Sequence, residues 1–301
     1  MNVTAIVLTY NEELHLARCL DSLAGVADRI CVVDSYSTDR TLEIARQRGV
    51  EVVQNPWTTP ARQFNWALDH LRPDPGWVLR IDADEYLTPE LAAEIARELP
   101  RTPADIHGFY LRRYMCFRGQ LLRRGGLFPV RILRLFRTGC ARSEDRAMDE
   151  HIVLSSGVAR ELRGSLVDDN RRDLAWWTAK HNAYAAREAM EILVQRHRLR
   201  PVGTSAGRLS GTAAVKRWIK ERIYNRLPGR TAAVLYFLWR YLLQGGFLDG
   251  AAGTDFHVLQ GFWYRYLVSV RVDEVERHAV EQGCDMPSAI RVVLGLDLGK
   301  T

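Results

Sequence analysis

Residues 3–10, VTAIVLTY, are apolar without the strict alternation of a half-buried strand. That pattern predicts a parallel strand covered on both faces. The next stretch, NEELHLARCLDSLAGV, puts Leu14, Cys19, Leu20 and Leu23 on one helical face. RICVVDSYS (29–37) is a second buried strand, and STDRTLEIARQRG a short helix with Thr38 or Ser37 as N-cap and Gly49 as stop. VEVVQNPW is a third strand, and PARQFNWALDHL a helix opened by Pro60. GWVLRIDADEYL is a fourth strand, followed by TPELAAEIARELP, a helix capped by Thr88 with Pro89 in its first turn. Strands alternating with helices predict an α/β fold, a mostly parallel sheet with helices on both faces.

Beyond about residue 105 the pattern lengthens. IHGFYLRRYMCFRG, FPVRILRLFRTG and DEHIVLSSGVARELRGSLVD have the character of longer strands and hairpins. After about residue 170 the chain turns helical, with RDLAWWTAKHNAYAAREAMEILVQRHR as one long helix and three further helical stretches behind it. The expected division is residues 1–165 as an α/β domain, with halves at about 1–100 and 101–165, and residues 166–301 as a helical C-terminal extension.

Composition adds less. With 47% hydrophobic and 26% charged residues the chain has the profile of a folded globular protein. Five cysteines, odd in number and without a CxxC pair, give neither a zinc knuckle nor a disulfide framework. The N-terminal stretch lacks the charged and long apolar regions of a signal peptide, so a cytoplasmic location is expected. The net charge of +6 favours anionic partners without choosing among them.

The chemistry lies at the strand ends. Ligands of α/β sheets sit at the carboxyl ends of the strands, and acids occur there: Glu12 and Glu13 after strand one, Asp34 and Asp39 around strand two, Asp82 and Asp84 after strand four. Neither GxGxxG nor GxxxxGK[ST] occurs, which removes the main support for a dinucleotide or P-loop site. Clustered acids at a helix entry also favour the helix dipole, so D-x-D by itself is a weak signal. TYNEE likewise contains a capping segment, with Asn11 as N-cap, and Asp39 with Thr38 is a cap for the next helix.

Three segments together say more. TAIVLTYNEE, VVDSYSTDRT and WVLRIDADEYLTPEL resemble, in order and spacing, the signatures of family 2 glycosyltransferases with the GT-A fold. The resemblance is closest to the bacterial lipopolysaccharide-core and exopolysaccharide branch, and the later segments DEHIVLSSG, VDDNRRDLAWWTAKHNAYAAREA and GFLDGAAGTDFHVLQGFWYRYLV are similar to that branch as well. It implies an inverting transfer of a hexose from a nucleotide sugar, a UDP-sugar, to a lipid-linked oligosaccharide. It also implies a divalent cation, Mg²⁺ or Mn²⁺, offsetting the diphosphate charge. By this resemblance Asp84 binds metal, Asp82 contacts nucleotide and metal, and Ala83 lies between them. Thr9, Tyr10, Asn11 and Glu12 surround the nucleobase and ribose, and Asp34 hydrogen-bonds the base; Arg62, Gln63 and Asn65, by their place after strand three, either approach the donor or form a polar helix face.

An inverting transfer needs a base for the acceptor hydroxyl. MDEHIV (148–153) supplies the later acidic cluster. Related sequences more often carry His-Glu or Glu-Asp here, which leaves open whether Glu150 or Asp149 is the base. Glu150 falls where the His-Glu pattern puts its acid. His151 is a neighbour or a metal ligand, or an ordinary strand histidine. Arg131, Arg134 and Arg137 lie at spacing three, which alternates faces in a strand, so one or two at most face a phosphate; Arg134 is one candidate. Lys180 and His181 are candidate acceptor-phosphate contacts, against a background in which paired tryptophans such as Trp176 and Trp177 more often anchor a core.

The tail segment AAVLYFLWRYLLQGGFLDG lies after the basic VKRWIKERIYNRLPGR and before GFWYRYL. Basic residues, aromatics and an apolar face suit contact with an anionic membrane surface, peripheral on the inner face of the cytoplasmic membrane. A buried helical subdomain is the competing reading. Two other function classes remain in view. A nucleotidyltransferase would carry a Gly-rich basic loop after strand one, where TYNEE is acidic. A nucleic-acid-binding protein would show a continuous basic face, so no nucleic-acid partner is expected.

Overall fold

A computed structural model of the chain describes residues 2–144, 151–199 and 229–298. The chain forms two compact units, Met1–Arg123 with Leu127–Arg171, and Arg124–Gly126 with Arg172–Thr301.

In the first unit, β1 (Val3–Thr9), β2 (Arg29–Asp34), β3 (Glu51–Gln54) and β4 (Trp77–Asp82) run parallel in the order β3-β2-β1-β4. The nine-stranded sheet continues through β8 (Val130–Arg137), antiparallel to β4, then β6 (Ile106–Phe117), β11 (Val158–Asp169) and β5 (Glu85–Leu87), with β7 (Gln120–Leu122) paired to β6. β9 (Ala141–Ser143) and β10 (Ile152–Leu154) form a separate two-stranded sheet. The α/β fold with a helical C-terminal part is the one expected; the strand-helix alternation gives the parallel strands β1–β4, and antiparallel pairings at β4–β8, β6–β8, β6–β7 and β11–β5 make the sheet as a whole mixed.

β1 shows why the parallel part is apolar throughout. Val3, Ala5 and Val7 pack with α1 (Leu16–Leu23), α2 (Thr41–Gln47) and α4 (Pro89–Glu98) on one face. Ile6 and Leu8 pack with α3 (Pro60–Leu71) on the other. A period of two sends alternate side chains to opposite cores, both built of buried apolar residues. The helices start where side chains supply acceptors: Thr59 Oγ1 receives Arg62 N–H at 3.2 Å, and Thr88 Oγ1 receives Leu91 N–H at 3.3 Å. In both a proline holds the first helical position.

One start differs from the sequence expectation. α1 begins at Leu16 and its buried face is Leu16, Cys19, Leu20 and Leu23, while Leu14 is exposed. The reason is a turn: Glu12 C=O accepts from both His15 and Leu16 N–H, so the chain is not yet helical at Leu14. α2 begins at Thr41, and of the residues the sequence offered as caps, Ser37, Thr38 and Asp39, it is the Asp39 carboxylate that accepts from Thr41 N–H at 3.0 Å.

The second unit is helical. α5 (Leu174–Arg196) is the single long helix expected, capped by Asp173, whose Oδ1 accepts from Trp176 N–H at 2.7 Å. α6 (Gly229–Leu238) runs straight into a π-helical turn at Trp239–Leu243. A 3₁₀ turn (Gly246–Asp249), α7 (Gly250–Phe256), a second π-helical segment (His257–Trp263), α8 (Tyr264–Gln282) and α9 (Met286–Leu294) follow. Ala185, Ala189 and Leu193 of α5 pack against Val268, Val272 and Val275 of α8, with Ala289 and Ile290 of α9. Most of the basic segment 215–230 lies outside the described residues.

Candidate active site

The parallel strands deliver TYNEE, DSYST and DADE to one edge of the first unit, because β1, β2 and β4 are neighbours in register: Leu8 lies beside Val33 and Asp82, and Thr9 beside Asp34.

Asp34 is fully buried and surrounded by donors. Its Oδ1 accepts from Thr9 Oγ1 at 3.1 Å and from Ser37 Oγ; its Oδ2 accepts from Ser37 N–H at 2.9 Å and from Gln54 Nε2 at 3.1 Å. A carboxylate offers about four acceptor sites, so Asp34 is spent on the protein itself. It fixes the β2 loop. The loop then holds its neighbour: Ser37 Oγ accepts from Asn11 N–H at 2.8 Å, and Asn11 Oδ1 from Thr38 N–H at 2.8 Å. Asn11 takes a left-handed backbone (φ 54°), as does Tyr36 (φ 61°). Both conformations turn the chain sharply, and Tyr10 and Tyr36 emerge as exposed rings after adjacent strands. Tyr36 escaped the sequence reading, although an aromatic one residue past an acidic strand end was its signal.

Glu12 Oε2 lies 2.6 Å from Nδ1 of His15, a residue with no solvent exposure. The other ring nitrogen, Nε2, accepts from Arg171 N–H at 2.8 Å, which leaves the proton on Nδ1 to be donated to Glu12. His15 thereby ties the β1 loop to the residues after β11.

At the end of β4, Asp82 Oδ2 accepts from Arg134 Nη2 at 2.9 Å, and the same nitrogen donates to Glu85 Oε1 at 3.0 Å. Glu85 Oε2 in turn accepts from Asp82 N–H at 2.9 Å. Burial works against the charge of Asp82, but Arg134 and then Arg80 outweigh it and hold the carboxyl well below the ordinary range. Glu85 goes the other way: its complete burial raises its pKa, with Asp82 adding to the rise against Arg134. Arg134 therefore faces inward onto two acids. Arg131 pairs with Glu161 at 2.6 Å, and Arg137 donates to the carbonyl of Ile106 at 2.9 Å, so the expected alternation of faces separates them from Arg134.

Asp84 is half-buried. Its Oδ2 accepts from Asn170 Nδ2 at 3.1 Å, and its carbonyl accepts from Asp169 N–H at 3.0 Å. Among the described residues Oδ1 has no hydrogen-bond partner. Arg18 braces the backbone here, donating to the carbonyl of Asp169 at 2.7 Å and pairing with its carboxylate. Asp168 stands opposite Glu85 across the β11–β5 ladder and 3.6 Å from Arg113. Burial, then the charge of Asp84, push the Asp168 carboxyl up to about 8. Asp168, Asp169 and Asn170 were missed in the sequence, where their signal was the same as elsewhere: acids at a strand's carboxyl end.

The remaining candidates are placed as follows. Ala83 is buried, its N–H donating to Leu8 C=O at 3.3 Å. Arg62 is exposed in the first turn of α3. Gln63 and Asn65 turn inward: Gln63 Nε2 donates to Ser35 Oγ at 3.1 Å, and Asn65 Nδ2 to Ser143 C=O at 2.9 Å. His151 is exposed, and its carbonyl accepts from Glu144 N–H at 2.9 Å. Asp149 and Glu150 lie outside the described residues. Lys180 and His181 belong to the second unit. There His181 stacks on Trp177 at 3.5 Å, donates from Nδ1 to the Trp177 carbonyl at 2.8 Å, and is shifted toward its neutral form by burial. Lys180 lies 4.7 Å over Trp176. Both are held by aromatic packing of α5 itself.

Among the described residues no three His, Cys, Asp or Glu side chains form a closed metal cage. The donor set is nonetheless hard: Asp84 presents an uncommitted carboxylate oxygen beside Asp82 and Asp168. A Mg²⁺ or Mn²⁺ shared with a diphosphate takes one or two carboxylates and fills its other positions from the ligand and water, and the residues present fit that demand.

Comparison with known proteins agrees with the strand-end pattern. The family model described as "Glycosyl transferase family 2" matches residues 4–153. A protein of Rickettsia bellii described as an uncharacterized glycosyltransferase is 41% identical over 93 residues, 31% of this chain and 31% of that one. The match thus spans under a third of that relative's length. The lipopolysaccharide core biosynthesis glycosyltransferase LpsC of Rhizobium meliloti is 25% identical over 96% of this chain and 97% of its own. Among solved structures, S. aureus TarS 1–349 in complex with UDP-GlcNAc covers 94% of this chain and 93% of that one, at 16% identity and a TM-score of 0.42.

Proposed function

Residues 4–153 place the chain in glycosyl transferase family 2, and from that premise we propose that it moves a hexose from a UDP-sugar to a lipid-linked oligosaccharide, with inversion. The full-length similarity to LpsC supports lipopolysaccharide-core synthesis, or the related exopolysaccharide synthesis, as the setting. The site of action would be the inner face of the cytoplasmic membrane. A nucleotidyltransferase and a nucleic-acid-binding protein both give way to the family match.

One observation carries the reading at the site: Asp84 is aimed by Asn170, the residue after β11, leaving one oxygen free beside Asp82. An acid held at one oxygen and open at the other is suited to a ligand. Asp84 and Asp82 would hold a divalent cation, which supplies charge neutralisation for the diphosphate leaving group. The chain's own residues do the rest. Tyr10 and Tyr36 offer ring faces for the nucleobase, while Asp34 and Ser37 keep their loops in place. Arg134 keeps Asp82 ionised and fixed. The acceptor oxygen attacks the anomeric carbon, its proton passes to a carboxylate of the 148–153 segment, and the nucleoside diphosphate departs. We assign that proton to Glu150, with Asp149 as the alternative.

The test is a nucleotide-sugar panel read by mass spectrometry, combined with calorimetric UDP binding with and without Mn²⁺. UDP binding that strengthens with Mn²⁺ in the wild type and loses that dependence in Asp84→Ala is expected, with thermal unfolding nearly unchanged because Asp84 lies at a strand end. Equal UDP–Mn²⁺ affinity in both proteins would overturn the metal assignment.

A further inference from the structure

Within the second unit, the stretch from α6 through the π-helical turn is patterned inside out. Val234, Leu235, Leu238, Trp239, Leu242 and Leu243 share one side at helical spacing, and all six are exposed, Trp239 at 53% and Leu243 at 75%. The opposite side carries Ala233, Tyr236, Phe237, Arg240 and Tyr241, which are buried or half-buried. Its polar atoms are satisfied inward: Arg240 Nε donates to Gly125 C=O and Nη1 to Tyr236 Oη at 2.7 Å, and Tyr241 Oη lies 3.0 Å from Thr254 Oγ1. The following turn extends the outer face with Phe247 and Leu248. A surface helix of a soluble protein shows the reverse arrangement. The eight side chains expose on the order of 700 Å², above the few hundred that a soluble monomer leaves uncovered.

We propose that this face docks into the outer few ångströms of an anionic lipid bilayer. Charge selects the occupant. Residues 230–248 contain no Asp or Glu, and the sequence just before α6 carries Lys216, Arg217, Lys220, Arg222 and Arg226 against Glu221. Anionic headgroups complement that balance, each basic residue near the surface adding to the attraction. Trp239 places an indole in the patch, the side chain favoured at the boundary of hydrocarbon and water. No helix among the described residues is long and apolar enough to cross a membrane, so the contact lies in the interface plane. The inference extends the proposed lipid-linked acceptor. Its test contains neither donor nor acceptor, so failure of one is distinguishable from failure of the other.

The experiment is sedimentation of the full-length protein with vesicles of phosphatidylglycerol and phosphatidylethanolamine, against phosphatidylcholine alone. Wild type should pellet with the anionic vesicles, and the double variant Leu235→Glu/Leu242→Glu should lose about tenfold or more of that partitioning. Val292→Glu, at an exposed valine of α9 (68%), should bind as wild type does. An independent reading uses brominated lipid, which should quench wild-type fluorescence more than that of Trp239→Phe. That comparison decides the matter if the double variant fails to fold. Wild type remaining in the supernatant with anionic vesicles overturns the proposal. So does a double variant that folds and pellets like wild type, or a Trp239 signal that brominated lipid leaves unquenched. A dimer that depends on Leu235 and Leu242, without vesicle binding, would assign the face to a second copy instead.

Discussion

Replacing Arg134 by methionine isolates the electrostatics beneath the D-x-D turn. Methionine keeps most of the aliphatic volume and removes the cation that bridges Asp82 at 2.9 Å and Glu85 at 3.0 Å. Two unit charges about 4 Å apart attract by about 4 kcal/mol at an effective dielectric of 20. The Asp82 side chain is 36% exposed, so water screens its share and little of the loss belongs to it. The Glu85 side chain is only 2% exposed and keeps nearly the full interaction. Stranding one member of a buried pair costs about 3–5 kcal/mol. Glu85 retains the Asp82 N–H as a donor and relieves part of the cost by taking a proton, so the expected loss is near the lower end, about 3 kcal/mol. Glu85→Gln alone should cost less, because Arg134 keeps Asp82. In Arg134→Met/Glu85→Gln the neutral amide still accepts from Asp82 N–H, and a coupling of about 1–3 kcal/mol should appear in a double-mutant cycle by urea denaturation. Additive single variants, or an Arg134→Met cost under about 1 kcal/mol, would refute the claim that this buried pair holds the turn.

Glu150→Gln should keep UDP affinity and lose transfer by about 10²–10⁴-fold, with Asp149→Asn far milder; the opposite ranking in initial-rate assays exchanges the two roles. Gly164→Ala should destabilise by about 1–3 kcal/mol in urea, since a Cβ there would stand 2.4 Å from Leu91 Cα of α4 and neither backbone has room to retreat. His257 is fully buried with neither ring nitrogen hydrogen-bonded among the described residues, and burial, then Arg240, lower its pKa to about 4, against a weaker opposing pull from Asp249. The unfolded chain binds the proton first, so this stability is whole above the ordinary histidine pKa and drains as pH falls from about 6.5 to 4, by about 3 kcal/mol; urea midpoints followed through that window should flatten in His257→Leu.

What the sequence made legible was local. Thr59 before Pro60 and Thr88 before Pro89 cap helices by short-range geometry, and their bounds follow from neighbouring residues alone. Acids at the carboxyl ends of β1, β2 and β4 were visible for a related reason: strand, turn and helix entry are contiguous. The helix start that was misplaced, at Leu14, failed where a turn closed by the Glu12 carbonyl delays the first helical residue to Leu16. Asp168, Asp169 and Asn170 stayed hidden because nothing local joins them to Asp84; the β11–β5 pairing does so across more than eighty residues, with Asp168 opposite Glu85. Period-two alternation told that Arg134 opposes Arg131 and Arg137, but the face that is buried is a property of the sheet.

α6 and its π-helical turn mark a different limit. Both sides of this stretch are apolar or aromatic, so hydrophobic periodicity assigns neither to a core. The decision rests with the few polar atoms. Arg240, Tyr236 and Tyr241 must find partners wherever they are buried, and each finds them on the inner side. A buried guanidinium without acceptors would cost more than exposing several leucines. Once those three residues face inward, helical geometry leaves Leu235, Leu238, Trp239 and Leu242 nowhere to go but outward. The exposed apolar face thus follows from satisfying the polar groups.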